Sequence, residues 1–441
     1  MKKIFFVFIS FILVGLNACS SDDTKEKYPE IPHDPAKALQ LTEFLPETGG
    51  MASQVIIKGS NFGTDPTKLK VYFNQKPAKV VKTIGNLAYV ITPRLPGDTC
   101  VISVVIGKDS LHYEKPFYYQ TLVRVSTISG VPSEKQTVDG TLVEARFDNP
   151  FYLVVDKEKN ILVGEWKARA RLINEERNSV VTLMNVSTSG EMMSGCTDYK
   201  NEVIYFPMNG MPYYYEFDPE QQWTPRRINP TIFPGDEIDL SGKYSFISSE
   251  IDSMLYTITT KGELVKINPK TRVASLVKKG ILKDRIQTTL QVYLAFHPVD
   301  KHMLYFVNPS SMAPQDGPIV GTDRIYRINM RTLEIEDFAG SGVKGHLDGP
   351  KELAEFNNPC QICFDQDGNL YVGDTDNYCV RRISTDGIVS TIAGIPGKRG
   401  YLDGDPDEAL FDRFWGMKID PDGTLYIADY YNRAIRKLTI Q

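Results

Sequence analysis

Few residues of this chain are spaced for covalent chemistry. The five histidines, His33, His112, His297, His302 and His346, are scattered, with no metal-ligand spacing among them. Cys360 and Cys363 have the Cys-x-x-Cys spacing used by zinc and redox sites. They fall on a predicted strand, where residues three apart point to opposite faces, and no second Cys or His pair accompanies them. Buried small hydrophobes are the expected role. Gly-x-Ser-x-Gly, His-Glu-x-x-His and a phosphate-binding glycine loop are all missing, so no catalytic residue, metal or cofactor is assigned. Asp365-Gln366-Asp367-Gly368 and Asp420-Pro421-Asp422-Gly423 have a calcium-like look but lack the rest of an EF-hand loop. Hairpin turn chemistry accounts for them. The side chains best suited to non-covalent work are Trp166, Trp415, Tyr430 and Tyr431. Their flat apolar faces and polar edges suit sugar rings, and they serve equally well as core.

What positions these aromatics is a repeat. Asp139-Gly140 with Ala145-Arg146-Phe147, Asp348-Gly349 with Ala354-Glu355-Phe356, and Asp403-Gly404 with Ala409-Leu410-Phe411 share one pattern. In each the Phe follows the Asp by eight residues, and a β-rich run ending in Gly130, Gly340 or Gly394 comes before. The last two copies start 55 residues apart. The first two are separated by four periods of about 52, the length of a propeller blade of four short strands. Six blades fit. Phe147, Phe356 and Phe411 are expected to plug between blades. Asp139, Asp348 and Asp403 are expected to cap their loops through backbone N–H groups.

The clearest blades lie near 360–394 and 417–438. Leu370-Tyr371-Val372-Gly373-Asp374-Thr375-Asp376-Asn377 and Leu425-Tyr426-Ile427-Ala428-Asp429-Tyr430-Tyr431-Asn432 resemble NHL repeats in their aspartate-then-asparagine turn. Weaker copies span 152–185, where Glu165 replaces that aspartate, and about 193–229, 244–277 and 292–340. The last blade lacks a strand d. Residues 122–130 align with 388–394 and are expected to supply it, covering two edges. Alternating strand direction puts d-to-a and b-to-c loops on one face. That loop face carries the Asp-Gly loops, the insertion 308–322, and Trp166, Lys167, Tyr213, Tyr430 and Tyr431. Phe151, Cys360 and Trp415 stand where inner strands enter. Loops on a rigid ring are the expected binding surface.

Residues 37–120 read as a small β-sandwich of closely spaced strands. Pro46-Glu47-Thr48-Gly49-Gly50 followed by Val55-Ile56-Ile57-Lys58-Gly59-Ser60-Asn61-Phe62-Gly63 resembles the opening of an IPT/TIG domain, an immunoglobulin-like fold. The expected chain is thus all-β, a small Ig-like β-sandwich followed by a six-bladed β-propeller over 121–441.

The N-terminus gives an address. Lys2 and Lys3 precede an apolar run too short to span a bilayer comfortably. Leu16-Asn17-Ala18-Cys19 then resembles a bacterial lipobox, which implies removal of residues 1–18 and lipidation of Cys19. Ser20-Ser21-Asp22-Asp23 resembles the surface-export signal of Bacteroidota lipoproteins, and residues 19–36 read as a tether. The formal charge is −5, and losing Lys2 and Lys3 makes it more negative, which argues against a nucleic-acid partner. Resemblance and address together imply an outer-membrane lipoprotein facing outward. It would bind glycan at the loop face for a polysaccharide-utilisation system, beside an outer-membrane transporter. A propeller enzyme (lyase, lactonase or glycosidase) and a protein-docking scaffold are the alternatives, because fold alone does not choose.

Overall fold

The computed structural model describes residues 31–94, 99–120, 122–166, 168–187, 190–283, 289–309 and 323–440. The leader, Cys19, Asp22 and Asp23, Lys167 and residues 310–322 of the insertion lie outside them. The chain is all-β and divides into two compact units, Met1–Leu122 and Val123–Ile440. Among the described residues no helix is long and apolar enough to cross a membrane.

The first unit is the Ig-like sandwich. Strand Gln54–Ser60 buries every second residue, with Val55 and Ile57 fully inward, which is the two-residue period of a half-exposed sheet. It lies between Gln40–Leu45 and Leu87–Ile91 in a sheet that continues through Lys76–Ile84, Leu69–Phe73, Ile102–Ile106 and Asp109–His112. Thr48–Gly49, Phe117–Tyr119 and Thr99–Cys100 form the second layer. Phe117 joins the two, edge-on to Phe73 at 5.0 Å between centroids. Asn61 and Gly63 hold left-handed turn positions at φ 65° and 75°. The Asn61 amide also donates to the carbonyls of Asp34 and Lys37.

The second unit is a six-bladed propeller. The innermost strands of blades 1, 4, 5 and 6 are Pro150–Val155, Tyr293–Phe296, Pro359–Phe364 and Gly416–Ile419. Blade 2 has a broken one, Glu191–Met192 and Cys196–Thr197, and blade 3 a short one, Ile247–Ser248. Each touches the next, and that of blade 6 touches that of blade 1, so the ring closes. The outermost strand of blade 6 is Val123–Gly130, paired antiparallel with Ala434–Ile440 from Val123↔Ile440 to Gly130↔Ala434.

Three blades are locked by the Asp-Gly loops. Gly140, Gly349 and Gly404 have φ of 149°, 131° and 140°, which a side chain would strain. They lie against the outermost strands of blades 1, 5 and 6, at Val180, Val389 and Val125. The preceding aspartates do not cap their own loops, which corrects the sequence expectation. Asp139, Asp348 and Asp403 accept the backbone N–H of Thr182, Thr391 and Thr127 on those outer strands. They also pair with buried arginines of the third strand, Arg171 at 2.8 Å and Arg381 and Arg436 at 2.7 Å. The guanidinium carbons stand 4.5, 5.0 and 5.1 Å from the ring centroids of Phe147, Phe356 and Phe411, which are fully buried.

In blades 5 and 6 the same arginines reach a second carboxylate. Arg381 donates to Asp374 at 2.8 Å and Arg436 to Asp429 at 2.8 Å. Asn377 and Asn432 donate to these aspartates as well. Burial pushes both carboxyl groups up to about 6. In blade 1 Glu165 takes that place and accepts from the Asp148 N–H and from Arg169. On the opposite, hairpin face, Asp365 accepts from the N–H of Asp367 and Asn369 and from the Asn369 amide. Those carboxylate lone pairs are spent on the turn and on the Tyr371 hydroxyl of the next strand. Cys360 and Cys363 are buried.

Candidate binding site

Three of the four aromatics that the sequence singles out converge on Phe151, the second residue of the inner strand of blade 1, and the fourth reaches it through Tyr430. The Trp166 ring lies nearly parallel to it, 6.0 Å between centroids and 27° between planes. Trp415 stands at 5.8 Å and 65°, and Tyr430 at 5.4 Å and 52°. Tyr431 meets Tyr430 edge-on at 4.9 Å.

Local chain geometry explains the gathering. Trp415 directly precedes the inner strand of blade 6, and Phe151 is the second residue of that of blade 1, so neighbouring blades bring them together. Trp166 and Tyr430 each follow the acidic residue that ends a second strand, Glu165 and Asp429. Both blades belong to the locked set, so the platform rests on fixed backbone. Its depth is graded. Trp415 is 7% exposed and forms part of the core, Trp166 and Tyr430 are half-buried, and Tyr431 is 47% exposed. Burial, followed by Tyr431 and Asp148, pushes the Tyr430 phenol up to about 12, so it is a neutral donor and acceptor.

A polar side to this surface was not found from sequence. Glu191, in the broken inner strand of blade 2, accepts from the Asn209 amide at 3.4 Å, and the same amide meets the Tyr244 hydroxyl at 3.5 Å. The Glu191 carboxylate is near enough to raise the phenols of Tyr244 and Tyr430, after the larger effect of their burial. It thus lies in the neighbourhood of Tyr430. Tyr213, which the sequence placed on this face, is buried beneath Arg227, whose guanidinium lies 5.1 Å from the ring centroid. Arg413, which interacts with Tyr431, donates to Asp376 at 2.6 Å. No motif pointed to Glu191. Its signal, an acid three residues before the strand-entry Ser194, shows only once the blades are aligned.

The floor is a layer of cross-axis contacts. The hydroxyls of Tyr152 in blade 1 and Tyr293 in blade 4 are hydrogen bonded to each other. The Gln361 amide of blade 5 donates to the Ser194 hydroxyl of blade 2 at 2.8 Å. Both tyrosines are raised in pKa by burial first, and neither ionises near neutrality. These contacts bridge the axis between the loop face and what lies below.

Residues 39–119 match the IPT/TIG domain family. No curated protein matches the chain. Among solved structures, a structural genomics protein of unknown function from Bacteroides thetaiotaomicron is similar, with 27% identity and a TM-score of 0.76 over 93% of this chain and 100% of that one. An auxiliary nutrient binding protein from B. thetaiotaomicron shares the fold at 23% identity and a TM-score of 0.58, over 93% of this chain and 99% of that one. Another from Bacteroides ovatus does so at 20% identity and 0.59, over 93% and 100%.

Proposed function

We propose that this chain is a surface-held, non-catalytic binding protein whose propeller captures glycan on its loop face. The observation that carries the reading is the aromatic platform of Trp166, Trp415, Tyr430 and Tyr431 around Phe151, with Glu191 and Asn209 beside it. A pyranose offers an apolar C–H face bordered by hydroxyls. Stacked rings match the face, and a carboxylate with an amide matches the border. Two Bacteroides proteins of the same fold are described as auxiliary nutrient binding proteins, and we carry that role over as part of the proposal.

A glycan array probed with residues 20–441 identifies the ligand, and titration of variants locates it. Tyr431→Ala and Trp166→Ala are each expected to weaken binding by roughly 1 kcal/mol or more, the worth of an aromatic contact. Tyr431 is about half exposed, so its loss is expected to move the melting curve little. Asp367→Ala with Asp422→Ala, on the hairpin face, should not alter affinity. The reverse pattern, with hairpin variants weakened and aromatic ones intact, places the ligand on the other face.

In this proposal Cys19 carries the lipid that holds the protein at the outer membrane, next to a transporter that takes up the captured glycan. Two or more acyl chains give stable anchoring where one is marginal. Cys19→Ser is expected to abolish fatty-acid labelling and release the protein from the membrane fraction. Continued labelling in that variant refutes the anchor.

A further inference from the structure

Beneath the tyrosine layer the axis opens again, toward the hairpin face, into a cavity of about 230 Å3. One equivalent position of each inner strand supplies its wall: Val154, Cys196, Ile247, Ala295, Cys363 and Lys418. Five of these six side chains are hydrocarbon or thiol. Lys418 is the exception, and its ammonium lies close enough to Cys196 of blade 2 and Cys363 of blade 5 to interact with both. It has no hydrogen bond or ion pair among the described residues.

Nothing around it supplies a counter-charge. Burial pushes the thiols of Cys196 and Cys363 each up to about 12, so neither is a thiolate near neutrality. At the mouth, Glu250 is paired with Lys301 at 2.5 Å. The Asp198 carboxylate accepts the N–H of Glu202 and Val203 within its own turn. His297 accepts the N–H of Val299 and Asp300 at Nδ1, which leaves its proton on Nε2, and burial lowers its pKa. Burial lowers the Lys418 pKa, and an ammonium among these walls with no partner is costly to keep, so an entering anion is favoured because it holds the charge there.

We propose that this cavity binds a small monocarboxylate, with its oxygens on Lys418 Nζ and its short hydrocarbon body against Val154, Ile247 and Ala295. One cation matches one negative charge. The apolar ring favours a body that is poorly hydrated, which distinguishes a short-chain carboxylate from phosphate or sulfate. Entry is from the hairpin face, because the Tyr152–Tyr293 and Gln361–Ser194 contacts bridge the axis at the other end. The site is thus distinct from the glycan platform and does not rest on it.

The test is calorimetric titration of residues 20–441 with butyrate, and with phosphate at matched ionic strength. Saturable one-to-one binding of butyrate is expected, with phosphate at least tenfold weaker. Lys418→Met, which keeps the volume and removes the charge, should weaken butyrate at least tenfold. A folded Lys418→Met that binds butyrate within twofold of the parent overturns the proposal. So does the absence of saturable butyrate binding, or phosphate binding as tightly. Should the variant fail to fold, 13C-methylation of the lysines in the parent protein reads the same event. One lysine resonance should then move with butyrate and saturate, and no movement of any lysine refutes the site.

Discussion

Arg381→Met should destabilise the propeller by about 3–5 kcal/mol, the cost of breaking a buried ion pair by removing one partner. The Arg381 side chain is fully buried and holds Asp348, Asp374 and the carbonyls of Leu347 and Glu355 together. Methionine fills part of the space and satisfies none of these groups. Asp374 is the most exposed to the loss, because it is itself fully buried. The penalty should depend on pH. Burial already pushes the Asp374 carboxyl up to about 6 in the folded state, and Arg381 is one of the groups holding it down. Without the arginine it rises further. A folded-state value above the unfolded one means that the native protein holds a proton the unfolded chain has released. The variant's stability is therefore fully present below the unfolded carboxylate value of about 4 and lost as pH rises through the folded one. Chemical denaturation at pH 5 and pH 8 checks this. A smaller difference from the parent at pH 8 than at pH 5 refutes the assignment. Arg381→Lys is a useful companion, since one ammonium cannot reproduce the fork that spans both carboxylates.

The second large effect concerns the seam of the ring. A chain starting at residue 131 lacks the outermost strand of blade 6, and its comparison is a chain starting at residue 121. Val125, Leu438 and Ile440 are buried along that seam, and each forfeits about 1.5–3 kcal/mol when the strand goes. Asp403 also loses its partner Thr127, which loosens the loop that holds Arg436. Removal is expected to cost roughly 5 kcal/mol or more, and to leave Ala434–Ile440 as an open edge prone to pairing with another chain. Thermal melts and light scattering on the two chains decide it. Equal melting temperatures and equal monodispersity would show that residues 123–130 contribute little to the propeller.

The sequence made the propeller legible because punctuation at a fixed period survives even where individual strands drift. Blades 5 and 6 keep their turns at Asp367-Gly368 and Asp422-Gly423, and could be divided almost by inspection. The aromatic platform was readable for a related reason: strand direction alone puts Trp166, Trp415 and Tyr430 at the same end of their blades. The partner of the Asp-Gly aspartates was missed although the signal was there. Arg381 and Arg436 each follow their aspartate by 33 residues, and Arg171 follows Asp139 by 32. Local capping was the nearer explanation, and it hid a contact made one blade-width away. Glu191 and Lys418 were not legible in the same way. Lys418 is one member of a ring built from six strands, and its meaning depends on the five residues facing it, while that of Glu191 depends on Asn209 and Tyr244. Lys418 is unremarkable in Gly416–Ile419 until Cys196 and Cys363 appear across the axis.

The cross-axis layer has a consequence for how the molecule comes apart. In an array whose repeats touch only their neighbours, stability is a sum of local terms, and one end can fray while the rest persists. Here Tyr152 with Tyr293 and Gln361 with Ser194 act as spokes, joining blade 1 to blade 4 and blade 5 to blade 2. Each degenerate blade they reach is yoked to one of the three locked by arginine. Blade 4, whose repeat had decayed in sequence, is held from the hub, and a blade held from the hub can drift in sequence while the wheel keeps its shape.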